Sequence, residues 1–176
     1  MPIDQFTELE IARKFDAERC RHYVNEQNYV LHCHHYSALF TQLAMDAQEI
    51  WNTTVLLRES ARDSFKPVFE DYFKNGGSLE EKVSIAEQYY AFCGLGKMKI
   101  ECLGEDSGEV VLETSHIDQG WLKKWGQNDV PVNFITSGFL LAFFESVYPG
   151  SINYEVREEE SIVCGSKQSR FVIYKK

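Results

Sequence analysis

The sequence predicts an α+β fold in which an antiparallel sheet carries its helices packed on one side. Three observations lead there. Residues 97–102, KMKIEC, alternate strictly, with Met98, Ile100 and Cys102 on one face and Lys97, Lys99 and Glu101 on the other. A strand with one wet face reads this way. Residues 136–147, TSGFLLAFFESV, are apolar around most of a helical circumference, as a buried helix is. The segments then run strand, helices, strand pair, buried helix, strand pair, with no internal repeat and no linker long enough to divide the chain.

Residues 6–21, FTELEIARKFDAERCR, are charged and weakly periodic, and read as a short helix or arm. Residues 1–27 therefore stand apart from a single domain spanning 28–176. NYVLHCH, 28–34, has the β-branched and aromatic character of a first strand. Ser37 is placed to cap a helix running to about Trp51, in which Phe40, Leu43, Ala44, Ala47 and Ile50 recur at helical spacing. A second helix spans about Thr54 to Lys74, interrupted or kinked by Pro67. NGGS at 75–78 is a break, and Ser78 with Glu81 forms the capping box of a third helix ending near Phe92. After KMKIEC, the turn GEDSG leads into the return strand EVVLETS, 109–115. A polar connection containing WLKKW, 121–125, precedes Pro131. PGS ends the buried helix, and INYEVRE (152–158) and SRFVIYK (169–175) make a terminal hairpin.

Composition narrows the function. One domain is the simplest reading of 176 residues, and 44% apolar with 14% aromatic residues supply a sizeable core. A net charge of −9 and the acidic run REEE at 157–160 argue against nucleic-acid binding. No stretch approaches the roughly 20 apolar residues of a membrane span. The polar, acidic N-terminus lacks the basic and apolar regions of a secretory signal. Cys20, Cys33, Cys93, Cys102 and Cys164 are odd in number, spread out and free of any CxxC pair. This usage fits the cytoplasm, argues against a disulfide framework and excludes a zinc ribbon.

The densest chemistry lies at 31–40, LHCHHYSALF, which holds three of the five histidines. On a strand, His32 and His34 share one face while Leu31 and Cys33 take the other. Two such imidazoles, with His35 at the bend as a third donor, suit a zinc, iron or copper ion or a haem axial position. Acid–base work is open to the same side chains. The plainer reading packs Cys33 in the core and lets the histidines satisfy backbone groups at a corner. His116 and Asp118 read as a surface turn, and Cys93 and Cys102 as inert thiols in apolar phase.

The C-terminal stretch from PVNFITSGFLL to SRFVIYK resembles the second half of the 4-vinyl-reductase domain, found in predicted hydrocarbon-binding proteins and in the sensor part of aromatic-responsive transcription activators. The family frame is a Cys before a Gly-containing helix, then Glu-x-x-Cys, then seven residues and Cys-Arg-Phe. Here Gly138 opens the helix, and Glu158, Ser161 and Ser169-Arg170-Phe171 fall at the family spacing. The resemblance implies architecture similar to TRAPP vesicle-tethering subunits, and a homodimer. Full-motif members hold a zinc through three cysteines and the glutamate. The corresponding positions here are Asn133, Glu158, Ser161 and Ser169, so zinc is not expected at this corner. Glu158 itself lies in phase with Ile152, Tyr154 and Val156 and needs partners if it points inward, with Ser161 and Ser169 in reach. Alternatively the strand has ended, and Glu158 begins a solvated acidic run.

The resemblance also implies an apolar small molecule held between helices and sheet. Phe139 and Phe143 would lie against it, and His32, Cys33, His34, His35 and Tyr36 would supply polar groups. The leading expectation is a sensor or carrier for an apolar, aromatic or tetrapyrrole-like ligand. Any signal would pass to a separate protein partner. A metal- or His-dependent enzyme acting on such a ligand is the first alternative, and a dimeric adaptor without ligand the second.

Overall fold

The computed structural model describes residues 11–30, 33–150 and 153–176. Among the described residues are two antiparallel sheets and five helices. The first sheet is a small meander of β1 (Arg13–Asp16), β2 (Arg21–Val24) and β3 (Gln27–Tyr29). Three helices follow: α1 (His34–Asp46), α2 (Thr53–Phe73) and α3 (Leu79–Phe92). The second sheet comprises β4 (Gly96–Leu103), β5 (Ser107–Ser115), β6 (Tyr154–Glu160) and β7 (Ser169–Lys175), in the order β4-β5-β7-β6. Between its two hairpins lie α4 (His116–Trp125) and α5 (Phe134–Val147).

α5 is the centre of the domain because nearly its whole circumference is apolar. Phe139, Leu140, Phe143 and Phe144 are fully buried, at about 1.5–3 kcal/mol of burial each. One side packs on the sheet, where Phe144 occupies the space above Gly108 that any side chain would take. The other side crosses α2 so closely that a Cβ on Gly138 would lie 2.3 Å from the Arg58 carbonyl oxygen. The opposite face of the sheet is wet and lined by Lys99, Glu101, Glu113 and Arg170. The expected α+β architecture, with helices on one side of the main sheet, is therefore what the chain adopts.

The capping box at Ser78 and Glu81 is present, with both reciprocal hydrogen bonds. Pro67 lies inside α2 without ending it.

Four local expectations are corrected. Residues 13–24 form strands rather than a helix. Their β-turns are tied by side chains instead: Asp16 accepts from the Glu18 and Arg19 amides, and Asn25 from the Ala12 amide. The first strand stops at Tyr29, and Cys33, in extended conformation, is the N-cap of α1, so His34 belongs to a helix. Ser37 lies within that helix, which ends at Asp46. WLKKW is helical, because Ser115 caps α4 by accepting from the Asp118 amide.

Candidate functional site

Two interior regions carry the polar and aromatic chemistry, and Tyr90 joins them. The first is a corner where five elements meet. Asn133, the N-cap residue of α5, donates from its Nδ2 to Asp118 Oδ2 of α4 at 2.9 Å and to Glu158 Oε1 of β6 at 2.8 Å. Its Oδ1 accepts from Ser115 Oγ, at the end of β5, at 3.0 Å. Ser169, opening β7, donates to Asp118 Oδ2 at 3.3 Å and accepts from the Ile162 amide at 3.0 Å. Ser161 is buried beside them. Asp118 Oδ1 and Ser161 Oγ complete no hydrogen bond of normal geometry, although the Val163 amide is near enough to favour the Asp118 anion.

Strand phase explains Glu158. Tyr154 and Val156 are buried on the inner face of β6, and Glu158 follows two residues on. The ladder shifts register between Glu158 and Glu160, so the solvated acidic run begins only after Glu158. The inward reading of this carboxylate is the one the structure adopts.

Two carboxylates thus share one amide in a dry place, with no cation among their partners in the described residues. Burial, then repulsion from Asp118, pushes Glu158 up to about 7. Burial raises Asp118 as well, against hydrogen bonds from Asn133, Ser115 and Ser169. The pair therefore retains a proton at pH values where ordinary carboxyls have lost theirs. Zinc does not fit this donor set: the one thiol near it, Cys164 beside Ser161, is pushed up by burial and by Glu158 and Asp118, and the Asn133 NH₂ group points at both carboxylates, where a cation would have to sit.

The second region is an aromatic cluster between α2, α3 and α5. Phe65, Phe69, Tyr89 and Tyr90 surround Phe139 with ring centroids 5.0 to 6.3 Å apart, and Phe143 lies 5.5 Å from Phe69. Phe139 and Phe143 are thus part of a packed interior. Tyr90 donates to or accepts from Thr136 at 2.8 Å, next to the corner, and both residues are fully buried.

The meander covers the outer edge of this cluster. Tyr29 and Tyr89 join hydroxyls at 3.0 Å, Asn25 donates to the Tyr72 hydroxyl at 3.3 Å, and Tyr29 meets Phe92 edge-on at 6.2 Å. Burial raises both Tyr29 and Tyr89, so the pair stays protonated and able to donate. A groove of about 390 Å³ opens between the meander and the end of α3. Sequence reasoning passed over this region, because its strands are only three or four residues long and mostly exposed.

The described histidines of the cluster lie on α1, next to His116, which follows Ser115 of the corner. His32 lies outside the described residues. His34 and His35 follow one another on α1, so strand alternation does not relate them to His32. Their rings are 4.1 Å apart, and His116 of α4 approaches His34 at 5.7 Å, because Gly120 lets α1 and α4 touch. Loss of hydration, then His34, Lys123 and Lys124, lowers His35. Cys33 and Tyr36 are exposed. Among the described residues, no three His, Cys, Asp or Glu side chains converge as a metal site.

Asp118 was the functional candidate hidden in the sequence. Its signal was Ser115-His-Ile-Asp118, a capping motif that places Asp118 in the first turn of a helix.

No protein-family model matches the chain, and no curated protein matches it significantly. Solved structures do. The chain superposes on the phenol-responsive sensory domain of the transcription activator PoxR, solved with phenol, with a TM-score of 0.75 at 17% identity, covering 93% of this chain and 84% of that one. It also superposes on trafficking protein particle complex subunit 3 from Naegleria fowleri, covalently bound to palmitic acid, with a TM-score of 0.53 at 15% identity over 80% and 90% of the two chains. The shared property is the fold. No helix among the described residues is long and apolar enough to cross a membrane.

Proposed function

We propose that this chain is a divergent 4-vinyl-reductase-like sensory domain that binds a small apolar or aromatic molecule between the meander and α2, α3 and α5. The Tyr29–Tyr89 hydroxyl pair carries the reading. It is a polar point, beside the Asn25–Tyr72 contact, at the edge of an aromatic cluster, and the meander above it is attached through side chains rather than by a shared ladder. A ligand hydroxyl inserted between these tyrosines replaces one hydrogen bond with two, while its body meets rings. The likeness to a phenol-responsive sensory domain supports the same reading. Calorimetric titration with phenol and substituted phenols tests it. Binding that weakens about tenfold in Tyr89→Phe is expected. Absence of binding by the whole series contradicts it.

The domain is a homodimer in this reading, because α1 is turned inside out. It buries Ser37, Ala38, Thr41 and Ala44 against the body and presents Tyr36, Leu39, Phe40 and Leu43 to solvent. Ile50 (78% exposed) and Trp51 (72%), on the connection to α2, and Leu56, in its first turn, are exposed as well. These seven side chains leave on the order of 100 Å² each in water, together close to the roughly 800 Å² per partner of a standard interface. The exposed residues of α1 carry no charge before Asp46, so a second copy meets this stripe without the repulsion that a net charge of −9 imposes elsewhere. Light scattering should give twice the chain mass for the native protein.

A further inference from the structure

We infer that the ligand carries an anionic head, so that the site takes a small aromatic or aliphatic carboxylic acid, with Arg13 as the residue that recognises the carboxylate. This inference rests on the sensory reading above and specifies its ligand class. Cross-strand register puts Arg13 opposite Val24, Phe15 opposite His22, and His22 opposite Tyr29. All five therefore project from one face of the meander and line the groove with Phe92 of α3, and Tyr23 joins them from the other face. The Arg13 guanidinium stands 5.1 Å from the centroid of the Phe92 ring, and His22 lies 4.7 Å from Phe15, ring to ring. Lys14 also lines the groove. Among the described residues neither Arg13 nor Lys14 makes an ion pair, whereas Arg19 on the same meander pairs with Asp16.

The lining holds no carboxylate. This is unexpected in a chain with 27 acidic and 18 basic residues. Four other grooves among the described residues include Asp or Glu in their lining, one of them the adjoining groove where Arg13 and Lys14 also meet Asp16 and Glu26. An apolar floor of Phe15, Val24, Tyr29 and Phe92 with a guanidinium fixed over one ring complements an apolar body ending in a carboxylate. The planar fork of Arg13 matches that head with two parallel hydrogen bonds. At about 390 Å³ the groove is within the ordinary range for small ligands.

Matched acids and amides give the test, because a carboxamide copies the shape of a carboxylate without its charge. Calorimetry at pH 7.5 compares benzoate with benzamide and octanoate with octanamide, on the native protein and on Arg13→Gln. The acids should bind about tenfold or more tighter than the amides, and Arg13→Gln should abolish that preference without changing the melting temperature. Equal or tighter binding of the amides, or an unaltered acid preference in Arg13→Gln, overturns the inference. Binding of phenols without binding of acids overturns it alone, and binding of no compound removes the sensory reading too.

Discussion

The polar corner and the meander edge are built on opposite plans. At the corner, Ser115, Asp118 and Glu158 are cross-linked through the Asn133 amide and Ser169 joins them through Asp118, five residues from five different elements. At the meander, a separate sheet touches the body through a pair of tyrosine hydroxyls, one asparagine and a few ring edges. The corner fixes where β6, β7, α4 and α5 meet, and its chemistry is hidden from solutes. The meander edge is half-buried and can open at small cost, which a ligand-binding surface needs. Polar residues in this fold thus divide between a locked framework corner and an edge that, in the proposed reading, meets the ligand.

Breaking the corner should have the largest effect. Asn133→Ala strands two buried carboxyls without their shared donor, and should cost about 3–4 kcal/mol in urea unfolding at pH 7. A small loss, under about 1 kcal/mol, would mean that the corner is wetter than its burial indicates.

The charge of Glu158 is the next lever. Its folded pKa is raised from the ordinary 4.5 to about 7. The folded state therefore holds a proton that the unfolded chain has released, and stability falls as pH rises through this window, by about 3 kcal/mol in all. Glu158→Gln should flatten the slope between pH 4.5 and 7 and raise stability at pH 8 by about 2 kcal/mol. An unchanged slope would assign the shared proton elsewhere.

The exposed face of α1 comes third. Leu43→Glu should weaken self-association by about a hundredfold, seen by light scattering across a dilution series, while the melting of the isolated subunit barely changes. Smallest is the meander contact. Tyr29→Phe should cost about 1 kcal/mol or less, since the hydroxyl it loses is half-buried and the ring remains.

How much of this could be read in advance follows from burial. α5 and the third helix were legible because a run of buried apolar residues and a complete capping box each state one structure. The corner was legible in part. Asn133, Glu158, Ser161 and Ser169 fell at related spacing, whereas Asp118 was hidden in a segment whose charged residues suggested a surface loop. α1 was legible as a helix from its apolar spacing, but not in its orientation: its large apolar residues face out, and the helix buries small residues instead. Periodicity shows that a face exists and cannot say whether it meets the core or another molecule. The meander escaped because strands of three or four residues leave too few alternations to see.

Amide hydrogen exchange with and without saturating phenol tests the central claim most directly. If the ligand lies beneath the meander, exchange slows over residues 13–29 and at the Tyr89 end of α3, while the amides around Asp118, Asn133 and Glu158 keep their protection unchanged. Binding that protects the corner or the histidines of α1 and leaves the meander unaltered would contradict the account.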